Sequence, residues 1–189
     1  MADTPAPSEP MGIRVRFATP ADAATIVEFV RGLAAFEHEP LAQVRLTAAD
    51  VLRDGFGPRP AFECVIAEQT VTGAEGEHGA RAVGHAIFFA NYSTWEGRAG
   101  LYVEDVYVVE GARRSGAGRA ILAALARIAH DRGAPRIDLA VLDWNPARGF
   151  YDRLGFTQQQ EWLPYRLDAA GIAALASEAA RVEGAPGER

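Results

Sequence analysis

A single cysteine, Cys64, stands in the whole chain. No internal disulfide can form, no cysteine cluster can hold a metal, and a reducing compartment fits. The four histidines give no metal either, because His38, His78 and His130 lack ligand spacing and His85 lies in an apolar strand. No apolar run approaches the roughly 20 residues that span a bilayer. The opening MADTPAPSEPMG has neither the basic nor the apolar region of a secretory signal. A soluble cytoplasmic protein with no membrane partner is the expectation. The net charge of −6 speaks against a broad nucleic-acid surface, though not against a local basic pocket. An acidic chain is the more natural host for cationic partners.

What is present suits one globular domain. The 189 residues are 49% hydrophobic and 23% charged, ordinary for a soluble enzyme or binding module. Residues 1–11, rich in Pro, Ala, Ser and acid, predict a disordered tail. Residues 12–176 form the domain, and 177–189 a flexible C-terminal tail.

Period and punctuation place the elements. IRVRFA (Ile13–Ala18) alternates as a strand, and Asp22–Phe36 carries Ile26, Phe29, Val30 and Leu33 at helical spacing. Thr47 begins a short helix ending near Gly55 and Gly57. Phe62–Glu68 and Ala82–Ala90 read as a hairpin around a glycine- and charge-rich loop, 69–81. Leu101–Val109 is a long strand, and a helix from about Gly116 to Arg132 follows it. Arg136–Leu142 is the next strand. Asn145-Pro146 reads as N-cap and first helical residue of a short helix carrying Phe150, Tyr151 and Leu154. Glu161–Leu167 is a last strand, and Asp168 caps an alanine-rich helix. The order predicts an α/β domain with a mixed sheet flanked by helices.

The stretch EGARRSGAGRA (Glu110–Ala120) joins a strand to a helix. As a dinucleotide fingerprint it fails, since Ile121 stands where the third glycine belongs. As a P-loop it fails too, since Gly118 is followed by Arg119-Ala120 rather than Lys and a hydroxyl. What remains is Arg113-Arg114-Ser115-Gly116-Ala117-Gly118. Without Cβ atoms at 116 and 118, backbone N–H groups can converge at a helix N-terminus. Such a cradle suits a pyrophosphate, with Arg113, Arg114 or Arg119 adding charge. An ordinary helix-initiating turn with solvated arginines is the competing reading.

Arg-x-x-Gly-x-Gly between strand and helix resembles the acetyl-CoA motif of the GNAT N-acetyltransferase superfamily. AVLDWN and ARGFYDRLGF (Ala140–Phe156) resemble the family's later strand–helix signature. LAAFEHEP, DGFG, FFANYSTWEGRAGLYVEDVYV and EWLPYRL resemble diamine (spermidine/spermine) N-acetyltransferases. Together these words cover most of residues 13–168. One departure is that five residues separate Asn145 from Tyr151, one fewer than the family pattern, which predicts a late helix start.

The resemblance implies acetyl-CoA as co-substrate. It implies that the backbone of Val106, Tyr107 and Val108 pairs with the pantetheine arm where the next strand splays away. An N–H near Val106 would support the oxyanion. The turn Arg113–Arg119 (Ser115, Gly116, Ala117 and Gly118 included) would hold the pyrophosphate, and Asn145 and Tyr151 would also touch the cofactor. Tyr151 is the general-acid candidate, because a phenol of pKa near 10 stays protonated and can serve a thiolate of pKa about 8.5. Packing of the Phe150-Tyr151 pair is its alternative role.

Glu104 and Asp105 are consecutive on an apolar strand, so only one should face a given site unless a bulge intervenes. Either they form surface pairs, or they bind a polyamine and help, through water, to deprotonate an amine. Glu37 would be a third acid for a distal ammonium, or an exposed loop acid. Trp162, Trp95 and Tyr92 would cover substrate methylenes, or belong to core or dimer packing. Cys64 is a core cysteine rather than a nucleophile.

The function implied is direct acetyl transfer, in a ternary complex, to a primary amine of a small polycation: a diamine, polyamine or lysine-like amino acid. A homodimer sharing its last strand and C-terminal segment is also implied. A protein-lysine or aminoglycoside N-acetyltransferase is one alternative, and a non-catalytic acyl-CoA-binding regulator another.

Overall fold

The computed structural model describes residues 12–72 and 78–178. The tail expected at 1–11, residues 73–77 of the expected loop and residues 179–189 lie outside them. The chain divides into two compact units, the first ending at Asn145 and the second starting at Pro146.

The first unit runs β1 (Ile13–Phe17), α1 (Ala23–Phe36), α2 (Ala48–Phe56), β2 (Glu63–Thr72), β3 (His78–Ser93), β4 (Arg98–Val108), α3 (Ala117–Asp131) and β5 (Ile137–Leu139). The strands make one sheet in the order β1-β2-β3-β4-β5. All neighbours are antiparallel except β4 and β5, which are parallel and joined through α3. This is the mixed, helix-flanked sheet that the element order predicts.

Local chemistry starts the first two helices. Asp22, buried before α1, accepts hydrogen bonds from Thr19 N (2.7 Å) and Oγ1 (2.9 Å) and pairs with Arg16 at 2.8 Å. The Arg16 guanidinium holds its carboxyl well below the usual carboxylate range. Thr47 and Asp50 form a reciprocal capping box at α2.

Alternation along β2 and β3 divides the core. Cys64, Ile66 and Ile87 pack with Ile26, Phe29 and Val51 from α1 and α2. Phe88, the next residue on β3, turns to the other face, where Arg132 at the end of α3 lies 5.9 Å from its ring centroid. The sheet therefore carries α1 and α2 on one side and α3 on the other.

Three elements differ from the sequence expectation. β2 and β3 run on to Thr72 and back from His78, pairing Gln69 with Arg81, Thr70 with Ala80 and Val71 with Gly79. The ladder overrides the local glycine signals, and the loop is shorter than 69–81. The strand expected over Arg136–Leu142 is only Ile137–Leu139. In the second unit, α4 (Arg148–Arg153) and α5 (Ala169–Ala176) form, and Asp168 caps α5 by accepting from Gly171 N at 2.8 Å. Glu161–Leu167 is not a strand. Pro164 lacks an N–H, no strand pairs with the segment among the described residues, and Tyr165 is 94% exposed.

Asn145-Pro146 does not open α4 either. Asn145 is buried, its N–H closes a turn onto Leu142 O (3.0 Å), and Ala147 is the N-cap. The helix starts late, as the shortened spacing to Tyr151 predicts.

Candidate functional site

β4 is the axis of the site. On one side it pairs with β5 only at Leu101–Ile137, Tyr102–Asp138 and Val103–Leu139. Beyond that pair β4 continues to Val108, while Ala140–Leu142 leave the sheet. On the other side Val109 N donates to Val83 O of β3 (2.9 Å). Antiparallel pairs alternate between bonded and unbonded, so Tyr107 also bonds towards β3, and the backbone groups of Val106 and Val108 point to the open edge. Val108 O there accepts from Arg113 Nε at 3.3 Å.

The acids sit at a register shift. Ile87 pairs with Asp105 but Phe88 pairs with Val103, so Glu104 is an extra residue in β4. The bulge resets the alternation: Val103 lies opposite Phe88 on the α3 face, and Asp105 opposite Ile87 on the α1 face. Burial first, then the charges of Glu104 and Glu37, pushes the Asp105 carboxyl up to about 6. Glu37, at the end of α1, is itself raised by burial and by Glu39. Two further carboxylates, one from the same strand and one from the end of α1, thus act on Asp105.

The glycine turn is built for a concavity. Gly116 caps α3 with φ +94°, a left-handed conformation that side chains disfavour, and a Cβ placed there would meet nothing within 4 Å. The first intrahelical bond runs from Ala120 N to Gly116 O (2.9 Å), so the amides of Ala117, Gly118 and Arg119 have no partner within the helix. Ser115 Oγ accepts from Ala117 N at 3.4 Å, and the side chains of Arg114 and Arg119 are exposed. Arg113 is engaged elsewhere, its guanidinium lying 4.4 Å from the centroid of Phe36. The geometry fits a pyrophosphate on the open turn and an extended ligand along the β4 edge.

Other residues fall away from this edge. The Tyr107 ring lies 6.0 Å from Phe29 and abuts Gly32 on α1, and its backbone bonds towards β3. Tyr92 and Trp95 are exposed at the β3–β4 hairpin end. Cys64 is buried, and burial pushes its thiol up to about 12, which makes it a poor nucleophile. His85 is fully buried against Phe29, and burial lowers it to about 3, leaving a neutral core imidazole. Among the described residues no group of three His, Cys, Asp or Glu could hold a metal ion, and no helix is long and apolar enough to cross a membrane.

In the second unit Tyr151 lies on α4 with its ring 5.5 Å from Phe150 and 5.6 Å, edge-on, from Phe156. Gly155 (φ +92°) ends that helix, with Phe156 N bonding Tyr151 O at 3.1 Å. Trp162 is 69% exposed. Trp144, which the sequence presents only within AVLDWN and without a role of its own, meets Phe36 and His38 at the end of α1.

Comparison with known proteins sharpens the picture. The Acetyltransferase (GNAT) family model matches residues 36–156. Thialysine N-epsilon-acetyltransferase of Mus musculus is 37% identical over 168 residues, covering 86% of this chain and 96% of that protein. Spermidine/spermine N(1)-acetyltransferase-like protein 1 of Homo sapiens is 33% identical over 87% of this chain, but over only 24% of its own length. An integron cassette protein from V. cholerae shares the fold, with TM-score 0.68 and 19% identity, over 88% of this chain and 98% of its own.

Proposed function

The chain belongs to the GNAT acetyltransferase family and is an N-acetyltransferase, and from that premise we propose that it transfers acetyl from acetyl-CoA to a primary amine of a small polycation. A diamine, a polyamine or a lysine-like amino acid is the acceptor class. The observation that carries this is the group of acids around Asp105, which lies opposite Ile87 on the α1 face with Glu104 beside it in the bulge and Glu37 near enough to act on it. The relatives named for thialysine and spermidine/spermine support it.

Acetyl-CoA, when bound, supplies an acetyl group activated as a thioester. The amides of Ala117, Gly118 and Arg119, with Ser115, Arg114 and Arg119 side chains, hold its pyrophosphate at the α3 N-terminus. Val106 and Val108 offer backbone groups on the open edge, and Val106 N–H is the donor assigned to the reacting carbonyl oxygen. Asn145 belongs to the same binding surface in this proposal. Glu104 and Asp105 bind the ammonium groups, and Glu104 helps, through water, to take a proton from the attacking amine. Tyr151 holds at Oη the proton that the leaving thiolate takes. Arg113 secures the turn to Phe36 rather than reaching a ligand.

The enzyme acts in this proposal as a cytoplasmic homodimer. α5 is apolar on every side yet buries nothing, and Trp162, Leu163, Tyr165, Leu167, Ile172 and Leu175 are exposed. A helix apolar all round requires a cover, and a second copy supplies one. A thiol-release assay with acetyl-CoA across diamines, polyamines, lysine analogues, peptides and aminoglycosides tests the function. Turnover confined to peptides or aminoglycosides would refute it.

A further inference from the structure

Three helices end in the same hydrogen-bonded motif. In α3 and α4 the residue after the cap is a glycine with positive φ, Gly133 (+66°) and Gly155 (+92°). In α1 the bonds are equivalent, Glu39 N to Ala34 O (2.9 Å) and His38 N to Ala35 O (3.3 Å), yet the left-handed position is held by His38 (φ +61°). A histidine there is disfavoured relative to glycine, a cost that a favourable side-chain contact can offset. The compensation is visible in its ring. His38 stacks on Trp144, with centroids 5.3 Å apart and planes at 29°. Phe36 also meets Trp144, at 6.4 Å, and takes Arg113 at 4.4 Å over its ring.

The residue between Phe36 and His38 is Glu37. Both of its chain neighbours are thus held by one indole, from the segment that leaves β5, and one of them also by a guanidinium from beyond β4. Glu37 thus lies between two anchored residues, and its charge is felt at Asp105.

We infer that Trp144 is a positioning residue: by gripping Phe36 and His38 it fixes Glu37 as the anchor for the second cation of the substrate. The inference rests on the polycation reading above and adds to it the residue that sets the reach between the two charges. It separates a substrate with a distal ammonium from one without.

The test compares KM for 1,5-diaminopentane and 1-aminopentane at saturating acetyl-CoA, since only the first has a distal cation. The ratio of KM for 1-aminopentane to KM for 1,5-diaminopentane should fall by about tenfold in Trp144→Ala, the scale of one charge-assisted contact, and similarly in Glu37→Gln. The double variant should lose no more than either single one, and Trp144→Phe should keep most of the preference. His38→Gly removes half of the grip while relaxing the backbone, so it carries the same expectation if Trp144→Ala fails to fold. A folded Trp144→Ala or His38→Gly with the wild-type ratio overturns the inference, as does full additivity with Glu37→Gln. A wild-type ratio in Glu37→Gln itself overturns the distal-anchor reading, and the inference with it.

Discussion

The ladder between β4 and β5 ends at Val103 and Leu139, five residues before β4 itself ends. The place proposed for the cofactor's extended arm follows from that early parting. Val106 and Val108 are left with backbone groups facing an open edge, and the chain beyond β4 folds into the glycine turn.

Gly116 is the most exposed test of the turn. Gly116→Val forces a β-branched residue to φ +94°, which should cost roughly 1–2 kcal/mol of stability. Acetyl-CoA affinity should drop by about tenfold or more, because the side chain enters the space above the helix amides. Gly111→Ala, with ordinary φ and open space, is the matched control. Calorimetric titration showing normal affinity in a folded Gly116→Val protein would remove the pyrophosphate assignment.

Tyr151→Phe should lower kcat by roughly 10²-fold while acetyl-CoA affinity holds. The Phe150 and Phe156 contacts survive in the variant, since only the hydroxyl is lost. Steady-state kinetics with unchanged kcat would discharge Tyr151 as the acid.

Asp105 predicts a break in the pH profile. Its carboxyl is raised to about 6, so it is ionised and able to hold a cation above that pH and neutral below. The amine must also shed a proton, which makes log kcat/KM climb with pH throughout the acid range. Below about 6 the slope should steepen by one further unit. In Asp105→Asn that break should vanish, on a lower overall line; a break that persists would assign it to another group.

Asp22 predicts stability rather than activity. Its carboxyl is depressed by Arg16 and two hydrogen bonds from Thr19, so its contribution is present above the ordinary carboxylate range and lost as pH falls through its folded value. Asp22→Ala removes both hydrogen bonds from Thr19 and leaves the partly buried Arg16 with Glu68 alone, and should cost about 2 kcal/mol at pH 7 by urea unfolding. A change under 0.5 kcal/mol would contradict that role.

Some of this was legible in the sequence for local reasons. The glycines of Arg113–Gly118 and the apolar stripe of α3 state a strand–turn–helix cradle within a dozen residues. Asp168 and Thr47 announce their helices by capping chemistry alone. The extra residue at Glu104 is different, because a bulge exists only relative to the partner strand, so two consecutive acids could not declare which face Asp105 takes. Glu161–Leu167 looks like a strand by composition, but a strand needs an edge to pair with, and sequence does not supply one. Asn145-Pro146 has the chemistry of a helix start, and the turn onto Leu142 overrides it. The meeting of Trp144 with His38 joins positions far apart in the chain, and nothing local encodes it.

The central claim is acetyl transfer to a small polycationic amine, and product analysis reaches it most directly. Acetyl-CoA and 1,5-diaminopentane are incubated with the full chain, and mass spectrometry of the diamine is set beside released thiol. One acetyl group on the diamine for each thiol released is the predicted result. Thiol release without an acetylated diamine, or acetylation found only on peptides, would contradict it.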